Sequence, residues 1–379
     1  MPLGRLGRQY ASSTLTSPER LQPAVHEERM PKLATLLPVT TVDSFAGPPV
    51  TVVIATRDRP EMLRDALGAL RSALRKEDRV IVVDSASRDE RTHIVAESFG
   101  AQVVRCDTPG TCRARNAGLR AAATDVVAFT DDDCLPDAGW TSALAAAFAR
   151  SPLPDFVAGQ VLAEGERSGR AQAVLSITEE TERLQFLVGT DPSKIGHGAN
   201  MAWRRVALEA IGGFDESMGP GTPFRAAEDH DVFWRALRAG CSGSFEPEAI
   251  VRHKQWRPRR EQLRTCYGYG VGSGAFAMKR WRMDRPGAQE TAALGWSDTL
   301  RRGMREIVWQ HGVVAPIRSI RQGYEMGVLI ELAMLAGGIT GLIRARAAPL
   351  ADGRFTSARD NTDRGLSHEE RTPEHEAGA

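Results

Sequence analysis

The chain has 379 residues, of which 42% are hydrophobic and 26% are charged, and its formal net charge is +1. This composition is typical of a soluble globular protein with a sizeable core, and the near-neutral charge gives no reason to expect nucleic acid as a partner. The five cysteines are scattered and include no Cys-x-x-Cys pair. This argues against a disulfide frame or a zinc site and favours a reducing, cytoplasmic location.

The predicted elements begin after a leader. Residues 1–47 lack the apolar core of a signal peptide and are predicted to be disordered, ending at Gly47-Pro48-Pro49. Beyond them, short β-branched runs alternate with amphipathic helical stretches. This alternation predicts an α/β fold with a mostly parallel, doubly wound sheet. The predicted strands in this part are residues 50–55, 80–83, 101–104 and 126–129.

Three of these strands end in polar clusters: Thr56-Arg57, Asp84 and the triplet Asp131-Asp132-Asp133. Ligands of doubly wound sheets bind outside the carboxyl ends of the strands, so we predict that the clusters converge on one rim. Adjacent carboxylates raise one another's pKa and resist burial, which a divalent cation with an anionic ligand would compensate. Carboxylate oxygens suit Mg²⁺ or Mn²⁺. A solvated acidic turn is the alternative for the triplet taken alone.

The next part of the chain adds further polar motifs. Residues 196–205 are first glycine-rich, then apolar, then basic. The acidic run 228–231 opens a predicted helix with an apolar face, which ends at Gly240. A predicted edge strand, 249–251, then leads to His253.

The C-terminal third is predicted to be a helical, basic and aromatic extension over residues 256–347, followed by a disordered tail, 348–379. Its basic and aromatic residues could bind a diphosphate or an anionic membrane. The glycines of residues 268–274 are predicted to form a hinge or an ordinary loop. The apolar run 328–343 falls short of the roughly 20 residues of a membrane span, so we predict a buried or interfacial helix. Peripheral contact with the inner face of the membrane is therefore a hypothesis.

Taken in order, these motifs resemble those of family 2 glycosyltransferases, which have the GT-A fold. The residues that carry the resemblance lie between about 50 and 255: Thr56-Arg57-Asp58-Arg59-Pro60, Val82-Val83-Asp84-Ser85, Arg115-Asn116-Ala117-Gly118, Phe129-Thr130-Asp131-Asp132-Asp133, the run from Gly198 to Arg205, Gly212-Gly213-Phe214-Asp215, Glu228-Asp229 and His253. The resemblance implies a glycosyltransferase domain at 48–255. Residues 48–135 would bind the nucleotide-diphosphate sugar, and residues 136–255 the acceptor.

The resemblance also implies roles for individual residues. The implied nucleotide-sugar contacts are Thr56, Arg57, Asp84, Arg115, Asn116, Asp131 and Asp132. The implied metal ligands are Asp133, Asp131 and His253, for Mg²⁺ or Mn²⁺. Asn200, Trp203 and Arg204 would belong to a loop that faces the donor sugar and the acceptor.

Asp229 resembles the general base of the family. A carboxylate in the first turn of a helix stays ionised and could remove the proton of the acceptor hydroxyl as it attacks the sugar with inversion. Asp231 is the alternative base, and Glu228 would orient the acceptor. The acceptor would be a saccharide or lipid-linked, as in cell-envelope polysaccharide synthesis, with a small metabolite as the alternative.

Two other function classes stay open at this point. A nucleotidyltransferase on a similar sheet usually has a glycine-rich loop after its first strand, and residues 55–58 lack one. A glycan-binding module with a lapsed site is the non-enzymatic alternative, against which Asp133 and Asp229 together argue.

Overall fold

The computed structural model describes residues 47–164, 176–283 and 325–356. The predicted disordered leader, except residue 47, and residues 357–379 of the predicted tail lie outside this range. The strands are β1 (Val50–Thr56), β2 (Arg79–Ser85), β3 (Gln102–Cys106), β4 (Val126–Asp131), β5 (Cys134–Pro136), β6 (Phe156–Glu164), β7 (Gln185–Phe186), β8 (Met201–Arg204), β9 (Gly243–Lys254), β10 (Leu350–Ala351) and β11 (Arg354–Phe355). The helices are α1 (Pro60–Ala73), α2 (Arg91–Ser98), α3 (Thr111–Ala121), α4 (Trp140–Ala149), α5 (Arg205–Ala210), α6 (Glu228–Arg238), α7 (Arg259–Met283) and α8 (Glu325–Ala347), with a short 3-10 turn at Pro192–Lys194.

One large sheet, with strand order β3-β2-β1-β4-β8-β6-β9-β5, organises the fold. The neighbours β2–β3, β1–β2, β1–β4 and β6–β9 are parallel, whereas β8 is antiparallel to both of its neighbours and β9 is antiparallel to β5 and β7. Most residue pairs in register are therefore parallel. The predicted α/β fold of GT-A type, with a helical C-terminal extension, is confirmed.

Helices cover both faces of the sheet. Successive residues of a strand point to opposite faces, so a strand contributes side chains to both cores. On β1, the side chains of Val52 and Ile54 belong to one buried cluster and that of Val53 to another. Leu63 of α1 packs in the first cluster and Leu119 of α3 in the second. The sheet is thus doubly wound, as the alternation in sequence predicted.

The register brings the predicted polar clusters to one edge. Thr56 lies opposite Asp84 on β2, and Ala55 lies opposite Asp131 on β4. Since the three strands are parallel, their carboxyl ends meet at the same rim.

Three local predictions are wrong. The predicted edge strand 249–251 is part of β9, which lies between β6 and β5 inside the sheet. Residues 350–355 form a hairpin instead of a disordered tail, and the ring of Phe355 is buried. The glycines of residues 268–274 lie inside the continuous helix α7 and do not form a hinge.

These glycines let helices pack closely. A Cβ at Gly270 would collide with the carbonyl oxygen of Met334, and one at Gly274 with that of Gly338, so α7 and α8 contact each other through their backbones. Gly272 contacts Ala226, just before α6, in the same way. By length and composition alone, residues 326–347 could cross a membrane, and 33% of their most apolar window is buried. The helix predicted at 328–343 is therefore present and longer than predicted.

Candidate active site

A cavity of about 340 Å³ opens at the rim where the parallel strands end. Its walls come from distant parts of the chain: the ends of β1 and β4, the start of α6, the end of β9, and helices α7 and α8. The charged or titratable residues that line it include Arg59, Arg115, Asp131, Asp133, Asp229 and His253. The predicted convergence of acidic motifs therefore occurs.

Asp132, in the middle of the acidic triplet, is fully buried. Its Oδ2 accepts a hydrogen bond from the Thr56 hydroxyl at 2.6 Å, and its Oδ1 lies 2.9 Å from Nη2 of Arg59. Burial raises the pKa of Asp132 to about 7, although Arg59 opposes this shift. The Thr56 hydroxyl is thus bound to Asp132 instead of facing the cavity, which corrects its predicted contact with a nucleotide.

Asp133 is also buried but has several cationic or hydrogen-bonding neighbours. Its Oδ2 accepts a hydrogen bond from Nε1 of Trp256 at 2.9 Å and lies 3.4 Å from both Arg59 and Arg257. Its Oδ1 lies 3.5 Å from Nε2 of His253. Burial opposes ionisation, but His253 and Arg59 outweigh it and hold the pKa of Asp133 well below its usual range. Asp133 is therefore an anion at neutral pH.

Within the described residues, the donor atoms of Asp133, Cys134 and His253 form a group with the geometry of a metal site, all within 4.8 Å of one another. The pairing of β5 with β9 places Cys134 opposite His253. A carboxylate oxygen and an imidazole nitrogen suit a divalent first-row metal, so this set fits one. Asp131 lines the cavity but does not belong to this group, and its ligation of the metal, directly or through water, stays a prediction. Cys134 was missed, although it directly follows the triplet.

Arg115 connects the triplet to helix α6. Its guanidinium lies 2.9 Å from Asp131 and 3.3 Å from Glu228, and it donates to the carbonyl oxygen of Gly198 at 3.1 Å. The side chain is only 2% exposed. Burial opposes its charge, but the two carboxylates raise the pKa of Arg115 above its usual value. Arg115 thus bridges two acidic groups at the cavity wall, and its contact with a diphosphate stays a prediction.

Glu228 and Asp229 are the first two residues of helix α6, and their pKa values are shifted in opposite directions. Burial and the neighbouring Asp229 raise the pKa of Glu228 to about 7. Asp229 accepts backbone hydrogen bonds from Gly198 at 3.0 Å and His230 at 2.8 Å. Burial opposes ionisation of Asp229, yet His230, His197 and these two N–H groups lower its pKa. Adjacent carboxyl groups held at different pKa values suit different roles in proton transfer.

The predicted nucleotide residues at the ends of β1 and β2 lie beside the cavity. Asp84 accepts hydrogen bonds from the backbone of Ser87 at 2.9 Å and from Arg105 at 2.5 Å. Arg57 is exposed and lies 3.7 Å from Asp58. Neither Asp84 nor Arg57 lines the cavity itself. Their contact with a nucleotide stays a prediction.

Asn116 connects helix α3 to the loop at Phe214 and Glu216 through hydrogen bonds inside the fold. Its side chain accepts from the backbone N–H of Phe214, donates to the carbonyl oxygen of the same residue, and donates to Glu216. Both amide hydrogens are used inside the fold and Asn116 does not line the cavity, which corrects its predicted contact with a nucleotide.

Asn200 also makes its hydrogen bonds inside the fold. It is fully buried, donates to the carbonyl oxygens of Gln160 and Ala249 at 2.7 Å, and accepts from Nε1 of Trp140 at 2.9 Å. All three hydrogen bonds join strands and helices of the fold. The prediction that Asn200 faces a ligand is therefore wrong.

Trp203 and Arg204 also lie away from the cavity. The ring of Trp203 is fully buried and stacks on Phe233, with centroids 5.5 Å apart. Arg204 donates to the carbonyl oxygens of Pro154 and Phe148. Both predicted ligand contacts are corrected, because the apolar residues of this motif form β8 in the core.

Asp231 belongs to a buried ionic network that also contains Lys279, Asp215 and Arg235. Nζ of Lys279 lies 2.6 Å from Asp215 and 2.6 Å from Asp231, and Arg235 lies 2.9 Å from Asp231. The side chains of Lys279, Asp215 and Asp231 are 0% exposed. Asp231 is thus inaccessible to a substrate, which corrects its prediction as the alternative base.

The sequence prediction missed two histidines that line the cavity, His197 and His230. His230 sits between Asp229 and Asp231, and His197 between two glycines, Gly196 and Gly198. For His197, the signal in the sequence was an imidazole ring in a glycine-rich loop beside the predicted donor-sugar motif.

Comparison with known proteins agrees with the resemblance noted in the sequence. Residues 51–212 match the sequence model of "Glycosyl transferase family 2". A pre-mycofactocin glycosyltransferase of Mycobacterium tuberculosis is 32% identical over 268 residues, which cover 67% of this chain and 54% of that protein. The glycosyltransferase AglE of Haloferax volcanii is 25% identical over 256 residues, 65% of this chain and 79% of that protein. The chain thus spans about half the length of the first of these relatives.

Two further similarities extend this picture. The O-antigen chain rhamnosyltransferase RfbN of Salmonella typhimurium is 24% identical over 232 residues, 59% of this chain and 71% of that protein. A solved structure of the mannosyltransferase PcManGT from Pyrobaculum calidifontis, in complex with GDP-Man and Mn²⁺, has 18% identity and a TM-score of 0.49, covering 78% of this chain and 87% of that one. Because residues 51–212 match the family model and the pre-mycofactocin glycosyltransferase is 32% identical over 268 residues, the chain belongs to glycosyl transferase family 2.

Proposed function

We propose that this chain is an enzyme that transfers a sugar, with inversion, from a nucleotide-diphosphate sugar to a saccharide or lipid-linked acceptor. One observation carries the proposal: Asp133 and His253, two members of the candidate metal group, line the same cavity as the carboxylate of Asp229. A metal-assisted leaving group and a base for the acceptor are the two parts that such a transfer needs. The O-antigen relative supports a cell-envelope saccharide as the acceptor class.

Mg²⁺ or Mn²⁺ would be held by Asp133 and His253. When bound, this cation neutralises charge on the departing diphosphate, so that the bond to the sugar breaks with less charge build-up. Arg59 and Arg257 lie on either side of this group, each 3.4 Å from Asp133. Their guanidinium groups would bind diphosphate oxygens.

Asp229 would be the general base. The two backbone hydrogen bonds to its oxygens fix the carboxylate, and its lowered pKa keeps it ionised at neutral pH. It would take the proton of the acceptor hydroxyl as that oxygen attacks the sugar. Glu228, protonated near neutral pH, would donate a hydrogen bond that orients the acceptor.

The nucleotide would lie beyond the diphosphate, towards Asp84 and Arg57. Asp84 lies near the end of β2, opposite the end of β1, where a carboxylate could accept from the base or the ribose. Its present partner, Arg105, would have to share this carboxylate with the nucleotide.

Helix α8 would bind an anionic membrane surface. Its exposed positions other than Arg344 form one apolar stripe along the helix, which includes Leu329, Leu332 and Ile343. The last turns of α7 and α8 carry the exposed Arg280 and Arg344. An apolar face with basic ends is the pattern expected of peripheral contact with anionic lipid. This contact would bring a lipid-linked acceptor to the cavity.

The membrane contact is tested by sedimentation with vesicles of phosphatidylcholine, with or without phosphatidylglycerol. We expect binding only to the anionic vesicles, and its loss in the double variant Leu329→Glu/Leu332→Glu. The matched control is Ile94→Glu, which changes an exposed isoleucine of α2. Equal binding by the double variant and the control would refute this part of the proposal.

The transfer itself is tested by screening UDP-, GDP- and dTDP-sugars with Mn²⁺ for thermal shift and for release of the nucleoside diphosphate. We expect Asp133→Ala to abolish the metal-dependent part of the shift. Asp229→Asn should retain donor binding and lose transfer, because the amide cannot accept the proton. If the wild-type protein releases no nucleoside diphosphate from any of these donors, a glycan-binding module is favoured. If it releases pyrophosphate, a nucleotidyltransferase is favoured.

A further inference from the structure

His197 is a titratable residue of the cavity wall to which neither the acidic motifs nor the family comparison assigns a role. It follows Gly196 and leads into the loop that contacts the proposed base. Its ring centroid lies 6.5 Å from that of His253, and the next residue, Gly198, donates its backbone N–H to Asp229, so the ring has the metal group and the proposed base as neighbours. A donor whose diphosphate lies at Asp133 and whose reacting carbon lies near Asp229 would bring its sugar next to this ring.

The tautomer of His197 is fixed by the backbone. Nδ1 accepts a hydrogen bond from the N–H of Ala199 at 3.1 Å, so the proton of the neutral ring is on Nε2. A protonated ring carries a hydrogen on both nitrogens and could not accept this bond, so the ring is neutral. Among the described residues, none accepts a hydrogen bond from Nε2. The ring therefore presents an unused, uncharged N–H donor to the cavity.

The loop that carries His197 is rigid. Asn200 donates its backbone N–H to the carbonyl oxygen of His197 at 3.0 Å, and Gly198 is held by both Asp229 and Arg115. A Cβ at Gly196 would lie 2.6 Å from Cβ of Ala158, so the backbone before the ring packs against β6. A donor group fixed in this way loses little entropy when a ligand binds.

We propose that Nε2–H of His197 donates a hydrogen bond to a hydroxyl of the sugar that is transferred, and that this contact contributes to the choice of donor sugar. The inference rests on the proposed function. A neutral donor suits a hydroxyl group, whereas the arginines at the other end of the cavity suit the diphosphate. A sugar without a hydroxyl at this position leaves the buried N–H without a partner and is disfavoured.

The experiment uses the full chain and the nucleotide sugar that proves active among UDP-glucose, GDP-mannose and dTDP-rhamnose. Steady-state kcat and KM are measured for this donor and for its monodeoxy analogues, in His197→Phe and His197→Gln. Phenylalanine keeps the ring without the donor, and glutamine restores an N–H. The matched control, His93→Phe, changes an exposed histidine of α2. Circular dichroism and binding of the free nucleoside diphosphate check that each variant is folded.

We expect His197→Phe to lower kcat/KM for the active donor about 3- to 10-fold, the effect of one hydrogen bond to an uncharged group. For one monodeoxy analogue the loss should be absent, because that analogue cannot accept the bond. His197→Gln should recover part of the loss, and affinity for the nucleoside diphosphate should not change.

Equal losses on every analogue would overturn the proposal in favour of a structural role. A matching loss of nucleoside diphosphate affinity would overturn it in favour of a contact with the diphosphate. If the wild-type chain transfers sugar and His197→Phe behaves as His93→Phe does, the inference alone fails. If the wild-type chain processes none of the donors, the proposed function fails and the inference falls with it.

Discussion

Replacement of Lys279 by methionine is expected to destabilise the fold strongly, because the lysine neutralises two buried carboxylates. Nζ lies 2.6 Å from both Asp215 and Asp231, and all three side chains are 0% exposed. Methionine keeps the length of the side chain without its charge. Removing one member of a buried ion pair costs about 3–5 kcal/mol, since it leaves an uncompensated charge.

The remaining contacts place the expected loss near the lower limit, at about 3 kcal/mol. Asp231 keeps Arg235 at 2.9 Å, and Asp215 keeps the backbone N–H groups of Ser217 and Phe355. Burial opposes ionisation of Asp231, whereas Lys279 and Arg235 lower its pKa, so removal of the lysine weakens the stabilisation of the charged carboxylate. The difference in stability between the wild type and Lys279→Met is therefore complete at neutral pH and narrows as the pH falls.

The assay is unfolding in urea, followed by circular dichroism, at pH 7 and at pH 4. Lys254→Met is the matched control, because Lys254 pairs with the exposed Asp65 at the surface. Such pairs contribute about 0–1 kcal/mol. If Lys279→Met loses no more free energy of unfolding than Lys254→Met, the reasoning about the buried ionic network is refuted.

Two other predictions concern stability. Since burial raises the pKa of Glu228 to about 7, the folded protein holds a proton that the unfolded chain has lost above pH ~4.5, so stability should fall as the pH rises from about 4.5 to 7. In Glu228→Gln this slope should be shallower, as measured by urea unfolding across that range, and an unchanged slope would contradict the assignment. Gly274→Ala should lower the melting temperature, because its Cβ would collide with the carbonyl oxygen of Gly338 in α8. Gly68→Ala, at an open helical position of α1, should instead stabilise by roughly 0.5–1 kcal/mol, and equal shifts for the two variants would exclude close packing of α7 and α8 as the cause.

The sequence predicted those parts of the site that follow from local pattern. Asp133 comes just after β4 and His253 lies in β9, and the pattern of apolar residues predicted a strand at each place. Asp229 was predicted from the acidic start of a helix. The geometry of parallel strands then brings Asp84 and Asp131 to one rim without any further information.

The remaining contacts depend on packing between distant segments, which local pattern does not report. Asn116 and Asn200 are polar residues in motifs and were assigned to ligands, yet each satisfies buried backbone groups. Trp203 lies next to a glycine-rich loop but alternates into the core on β8. Arg115 reaches Glu228, 113 positions later in the chain, and only the folded structure makes that pairing visible.

The hairpin at residues 350–355 and helix α7 pack against the predicted glycosyltransferase domain and complete its buried ionic network. Asp215 receives Nζ of Lys279 and the backbone N–H of Phe355, both from beyond the predicted boundary at residue 255. A protein expressed only to residue 255 would keep the carboxylates of Asp215 and Asp231 but lose Lys279, which pairs with both. It would also lack the part of the cavity wall that α7 and α8 supply. Fragments intended for crystallisation or assay should therefore extend through residue 356.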